Sequence, residues 1–164
     1  MRINVTGNAG AGKSTLTQQL GEVLDLPVFS LDSIVWQPGW QKTPALERQA
    51  MEQQLIDQPA WIIDGVSGRI RQASDIVVFL DVPRHVCAWR AVKRSVRYFN
   101  CTRPGLPPNC PEWRILPRLL YIIWQFPDNA GRAIRQEALQ APGRYLILGQ
   151  APDLESILTR MTAA

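Results

Sequence analysis

Residues Gly7-Asn8-Ala9-Gly10-Ala11-Gly12-Lys13-Ser14 form a complete G-x-x-x-x-G-K-S loop. Such a loop constrains the fold, because it binds phosphate only between a strand and a helix. Both flanks fit. Arg2-Ile3-Asn4-Val5-Thr6 is a short run that reads as a strand. Ser14 to Leu24 has helical composition and an apolar stripe at Leu16, Leu20, Val23 and Leu24. The glycines let successive backbone N–H groups turn inward around a phosphate chain, and the helix N-terminus adds its positive dipole end. The expectation is a triphosphate nucleotide held by residues 7–15, Thr15 included. Lys13 reaches the β- and γ-phosphates and the Ser14 hydroxyl ligates Mg²⁺. The plainer alternative is a glycine-rich turn that binds nothing; the Lys-Ser pair and the preceding strand speak against it.

A chain of 164 residues is expected to form one domain with a proper core. The first strand begins at once, so no leader is expected, and the longest apolar run, Leu119 to Trp124, is far too short to span a membrane. Cys87, Cys101 and Cys110 contain no tight C-x-x-C pair. Reduced thiols in a cytoplasmic protein are the simplest expectation, with neither a zinc site nor a disulfide at Cys101 and Cys110.

The net charge of +4 is unevenly placed. Arg84, Arg90, Lys93, Arg94, Arg97, Arg103, Arg114 and Arg118 share their stretch with one acid, Glu112, a local excess of +7; the remainder carries −3. That segment should meet something anionic, either nucleotide phosphates or nucleic acid. A solvated helix face is the alternative, but such a face normally interleaves acids with its bases.

Further along, Leu26 to Leu31 reads as a second strand ending at Asp32. Trp36-Gln37-Pro38-Gly39-Trp40 is a turn. Thr43-Pro44 predicts a helix start, with Thr43 as N-cap and Pro44 at N1, running to about Asp57. Trp61-Ile62-Ile63 is a third strand, closed by Asp64-Gly65, and a polar loop with Arg69 and Arg71 follows. Ile76 to Leu80 is a fourth strand, closed by Asp81. Pro83 opens a helix to about Phe99. Residues 100–112 read as a loop or flap. Helices are expected over about 112–125 and 128–140, a fifth strand over Tyr145–Leu148, and a last helix from Asp153 to Met161. Strands three to five are apolar without alternation, which predicts an α/β protein whose parallel sheet is covered on both faces. Gly7, Asp32, Asp64 and Asp81 all fall at strand ends and should gather around one crevice.

These residues resemble the adenylate-kinase-like group of P-loop kinases. Ile62-Ile63-Asp64-Gly65 looks like that group's third-strand signature, and Leu80-Asp81-Val82-Pro83 like its fourth-strand ending. Arg69 lies near the group's substrate-phosphate arginine, although the chain reads Gly65-Val66-Ser67-Gly68-Arg69 where the group has Gly-Phe-Pro-Arg. Arg90 and Arg94 have the spacing of the two arginines that open its mobile lid. More closely, Leu31-Asp32-Ser33, Trp36-Gln37-Pro38-Gly39-Trp40, Asp64-Gly65 and Thr102-Arg103-Pro104 together are similar to bacterial DNA topology modulation proteins, small predicted kinases of the same fold, whose label implies an effect on DNA topology without identifying a reaction. The resemblance implies a three-layer α/β/α P-loop kinase fold with a five-stranded parallel sheet and a lid over about 95–113. It also implies ATP- and Mg²⁺-dependent phosphoryl transfer to a small molecule or nucleotide.

The chemistry distributes accordingly. Lys13, Arg90 and Arg94 can neutralise charge on the transferring group, and Arg90 also serves nucleotide binding. Asp64 can hold Mg²⁺ beside Ser14; its alternative is a turn Asp before Gly. Asp32 can orient an acceptor hydroxyl and take its proton, whereas a phosphate acceptor needs no base. Arg69 and Arg71 favour an anionic acceptor. Trp36 and Trp40 can stack on an acceptor ring or serve as hinge packing, and His85 reads as structural. A nucleotide-regulated nucleic-acid-binding protein and an ATPase without an acceptor are the competing readings. Against the first, the chain has no helix-turn-helix, zinc finger or separate basic tail.

Overall fold

A computed structural model of the chain describes residues 1–99, 101–102, 106–149 and 154–162. Arg103, Pro104 and Asp153, all used in the sequence reading, lie outside the described residues. In chain order the elements are β1 (Arg2–Gly7), α1 (Lys13–Leu24), β2 (Val28–Ser30), α2 (Leu31–Val35), β3 (Trp36–Gln37) and β4 (Gln41–Lys42). Then come α3 (Ala45–Ile56), β5 (Trp61–Asp64), α4 (Gly68–Ala73), β6 (Ile76–Leu80) and α5 (Arg84–Arg97). The chain ends with α6 (Leu116–Gln125), α7 (Ala130–Gln140), β7 (Tyr145–Leu148) and α8 (Leu154–Thr162).

Five strands form one parallel sheet in the order β2-β5-β1-β6-β7. The strand that carries the glycine loop is therefore central, with Asp64 on its immediate neighbour. Side-chain alternation along strands decides which face each residue serves. Ile3 and Val5 pair in register with Ile62 and Asp64 and face the layer of α1, α5 and α8, where Leu16, Leu20, Cys87, Ala91 and Ile157 are buried. Trp61 and Ile63 face the opposite layer and pack with Leu31, Ile34 and Ile70 of α2 and α4. Phe79 packs there against Phe126 and Ile134. Two helical layers thus enclose the sheet, the three-layer arrangement expected.

Several local expectations are corrected. Asp32 does not end a strand. Leu31 and Ile34 are buried at helical spacing, so the chain leaves β2 at Ser30 and Asp32 sits in the first turn of α2. Val23 is exposed, and Thr17 and Gly21 are buried with Leu16 and Leu20 instead. Pro44 occupies the N-cap position of α3, and buried Thr43 gives its N–H to Val35 O rather than capping. The polar loop after Gly65 is helix α4. Helix α5 ends at Arg97. The helix expected over 112–125 is a short 3₁₀ turn, Glu112–Arg114, followed by α6. Strand β7 lies at the sheet edge with Ile147 exposed, so the sheet is not covered on both faces throughout.

Candidate active site

A cavity of about 800 Å³ opens beyond the carboxyl ends of β1, β2 and β5, as open parallel sheets dispose their ligand crevices. The glycine loop forms one wall through residues 7–10 and 12–15. Gly10 (φ +82°) and Gly12 (φ +102°) take left-handed conformations that favour glycine. A Cβ on Gly10 would stand 2.4 Å from Cys87 O, so the loop also lies tight on the start of α5. Burial pushes the Cys87 thiol above its ordinary value, opposed by the charges of Lys13 and Arg90.

Asn8 organises the loop, a role the motif leaves unspecified. Its Nδ2 donates to Ile123 O (2.9 Å) and its Oδ1 accepts the Ala9 N–H (2.9 Å). Its carbonyl accepts from Ala11 N–H (3.1 Å) and from Lys13 Nζ (3.0 Å). Lys13 therefore rests on a neutral backbone oxygen and keeps its charge for a ligand.

Ser14, on the first turn of α1, donates its hydroxyl to Asp64 Oδ2 at 2.5 Å. The register explains the meeting. Asp64 pairs with Val5, and both point to the α1 side of the sheet. The Asp64 carboxylate is 6 % exposed, and two hard oxygen donors converge beside the loop. That donor set suits Mg²⁺, which takes one or two protein oxygens and keeps waters and phosphate for the rest.

Across the cavity stand Asp32 from α2, Trp36 and Trp40, Arg48 and Glu52 from α3, and Arg69 from α4. Arg48 and Glu52 are one helical turn apart and share a face; neither carried a sequence signal of its own. Arg69 donates to Gln49 O (3.2 Å) and Gln53 Oε1 (2.7 Å), both neutral, so its charge is not cancelled there. Arg71 is elsewhere. Its guanidinium is buried and bound through two bonds to Glu137 (2.8 and 2.9 Å), because α4 turns it away from the cavity. Asp81 likewise does not line the cavity; it pairs with Arg135 at 2.6 and 2.9 Å.

The basic segment is divided among several tasks. Arg94 and Arg118 line the cavity. Arg90 reaches the back of the loop, donating to Ala11 O at 3.4 Å. Arg84 lies over the Trp124 ring (4.2 Å) and beside Asp128 (3.7 Å). Arg94 is held by Glu112, Nε to Oε2 2.8 Å, and that carboxylate is only 2 % exposed. The signal for Glu112 was its position as the one acid in the basic stretch. His85 is exposed at the start of α5.

Trp36 and Trp40 meet edge to face, centroids 5.2 Å apart, on a hairpin made by β3 and β4. Trp40 also reaches the flap: its indole Nε1 donates to Pro111 O (3.0 Å) and its N–H to Cys110 Sγ (3.4 Å). The buried Cys110 thiol donates to Gln37 O (3.6 Å).

Among the described residues no helix is long and apolar enough to cross a membrane. No protein-family model and no curated protein matches the sequence. Solved structures do. A shikimate kinase from Acinetobacter baumannii in complex with shikimate aligns over 99 % of this chain and 93 % of its own, at 20 % identity and TM-score 0.58. A gluconokinase from Sinorhizobium meliloti 1021 aligns over 99 % and 89 %, at 17 % and 0.53. A deoxyadenosine kinase from M. mycoides with bound dATP aligns over 100 % of both chains, at 13 % and 0.62. The three differ in substrate and share the architecture described above, so the chain has the fold of the P-loop kinases.

Proposed function

We propose that this chain is an ATP- and Mg²⁺-dependent kinase that phosphorylates a hydroxyl on a small anionic acceptor. It acts as a single cytoplasmic domain, with a lid over about 95–113. The observation that carries the reading is the convergence in one cavity of Lys13, the Ser14–Asp64 pair and, across from them, Asp32 and Arg69. The solved structures of this fold support it, being kinases of a hydroxy acid, a sugar acid and a nucleoside by their names. The order of the Leu31-Asp32-Ser33, Trp36–Trp40 and Asp64-Gly65 motifs supports a place among the DNA topology modulation proteins.

In the mechanism, residues 7–15 bind the triphosphate through backbone N–H groups and the end of α1. Ser14 and Asp64 would hold Mg²⁺, which when bound offsets phosphate charge. Asp32 orients the acceptor hydroxyl and takes its proton as the acceptor oxygen bonds to the γ-phosphorus. The bond from that phosphorus to the bridging oxygen breaks and ADP leaves. Lys13 and Arg94 stabilise the charge on the transferring group, and Arg90, which does not line the cavity, serves nucleotide binding by holding the loop from behind through Ala11 O. Arg48 and Arg69 hold the acceptor's anionic group, and Trp36 bounds its body.

ADP release tests this reading with ATP, Mg²⁺ and a panel of hydroxy acids, sugar phosphates, nucleosides and nucleotides. A hydroxyl-bearing anion should stimulate release well above the rate with water. Stimulation by nucleoside monophosphates alone would move the acceptor group to a phosphate, and no stimulation by any acceptor would favour an ATPase.

A further inference from the structure

Trp40 stands at a junction that the phosphoryl-transfer reading leaves unused. It lines the cavity, its ring edge to face with Trp36. Its backbone is held at φ +63°, a conformation uncommon for any residue with a side chain, so the ring is set by its contacts and not by local preference. Those contacts lead to a different part of the chain. Nε1 donates to Pro111 O, the backbone N–H to Cys110 Sγ, and the Cys110 thiol returns a bond to Gln37 O. Three bonds thus tie the β3–β4 hairpin to residues 110–111. The next residue is Glu112, whose buried carboxylate grips the Nε of Arg94 at 2.8 Å. Arg94 lines the same cavity.

Continuity of covalent chain and hydrogen bonds therefore runs from Trp36 through Trp40, Pro111 and Glu112 to the Arg94 guanidinium. Cys110 and Glu112 are both buried, so these two residues are packed into the fold. Glu112 is buried and Arg94 partly so, and separating them would leave the buried carboxylate without its guanidinium, so the pair tends to shift together.

We propose that Trp40 is a positioning residue that couples the acceptor wall to Arg94. The hairpin and residues 110–112 move as one body, so engagement of Arg94 by nucleotide phosphates resets the wall formed by Trp36 and Trp40. Reciprocally, an acceptor that fills that wall places Arg94, as linkage requires. The chemical consequence is that Arg94 comes into register when both sides are filled, which disfavours transfer to water. The proposal rests on the nucleotide reading above.

Hydrogen exchange on the full chain tests it, using a non-hydrolysable ATP analogue with Mg²⁺ as the probe. Analogue binding is measured separately by calorimetry. In the wild type the analogue should slow exchange in peptides covering 36–42 as well as 106–115. Trp40→Phe keeps a ring against Trp36 and loses the indole donor to Pro111. It should bind the analogue within about threefold of wild type and keep the response at 106–115. Its response at 36–42 should fall to less than half. A merely structural Trp40 would change baseline exchange but leave the nucleotide-induced difference at 36–42 intact, and that result overturns the proposal. So does a wild type that binds the analogue with no change at 36–42, whatever the variant does. Calorimetry showing no binding at all would overturn the nucleotide reading, and the coupling with it.

Discussion

Ser14 and Asp64 lie 50 positions apart in the chain, and the Ser14 hydroxyl donates to Asp64 Oδ2 at 2.5 Å. The contact exists because β5 is the immediate parallel neighbour of β1 and its register sets Asp64 opposite Val5, on the face that carries α1. Two oxygens thus converge beside the glycine loop, the pair proposed above to hold Mg²⁺. Asp64→Asn retains size and an acceptor oxygen but removes the charge. The Mg²⁺ concentration for half-maximal ADP release should rise about tenfold or more, the usual scale for losing a supporting carboxylate at a metal site. An unchanged Mg²⁺ dependence would leave Asp64 as the structural partner of Ser14.

The Lys13 ammonium donates to Asn8 O at 3.0 Å and belongs to none of the apolar core clusters among the described residues. Lys13→Ala should therefore cost less than about 1 kcal/mol of stability, while phosphoryl transfer drops about 10²-fold or more, the loss typical of one preorganised charge donor. Thermal unfolding and ADP release on the same preparation separate the two effects. Near-normal turnover would defeat the role given to Lys13.

Gly10 and Gly12 both hold positive φ, but only Gly10 is crowded: its Cβ would meet Cys87 O at 2.4 Å, whereas nothing lies within 4 Å of one on Gly12. Gly12→Ala adds backbone strain alone, about 1 kcal/mol. Gly10→Ala adds a collision with backbone that cannot swing away, so its unfolding midpoint should fall further, by several degrees beyond the Gly12 variant. Equal midpoints would mean that the loop moves freely off α5.

Much of this was legible in the chain, for identifiable reasons. The position of Asp64 at a strand end is legible because a continuous apolar strand, Trp61-Ile62-Ile63, ends in Asp-Gly, and that pattern is local. Asp32 reads as a strand end because Leu26 to Leu31 is short and apolar, and periodicity cannot separate a strand from a helix start over so few residues. Tertiary packing decided it, since Leu31 and Ile34 both bury against Trp61 and Ile63. Arg69 and Arg71 looked alike in sequence, yet on α4 they point to different partners. The Trp40–Pro111 and Arg94–Glu112 contacts join segments whose pairing has no local signal, so only the fold reveals them.

Glu137 should make stability pH-dependent. The hydrogen bonds from Arg71 hold its carboxyl below the ordinary value, against the opposing effect of burial, and the Tyr145 hydroxyl, donating at 2.8 Å, adds to them. A lowered folded value means that the unfolded chain binds the proton more readily. The stabilisation is therefore complete well above the ordinary carboxylate value of about 4.3 and is lost as pH falls through the lowered folded value. Arg71 is raised by the same pair and stays charged throughout. Unfolding midpoints of wild type and Glu137→Gln should differ near neutral pH and converge on acidification. A gap that does not narrow as the pH falls below the ordinary carboxylate value would show that the ion pair is not its source.

Asp32 decides between the two kinds of acceptor. It lies in the first turn of α2 and lines the cavity opposite Lys13, with Arg48 and Arg69 on the same side. Its carboxylate can take a proton from a hydroxyl as the acceptor oxygen attacks, and general-base catalysis is worth about 10²- to 10⁴-fold. Asp32→Asn keeps the size and one acceptor oxygen but cannot take that proton. For a hydroxyl acceptor kcat should fall about 10²-fold or more, with ATP affinity nearly unchanged. For a phosphate acceptor no base is needed and a carboxylate repels the substrate, so the same change should be mild or even favourable. The measurement is kcat and the acceptor KM for wild type and variant side by side. Full activity of Asp32→Asn on a hydroxyl acceptor would remove the base and leave Asp32 as part of the wall that shapes the site.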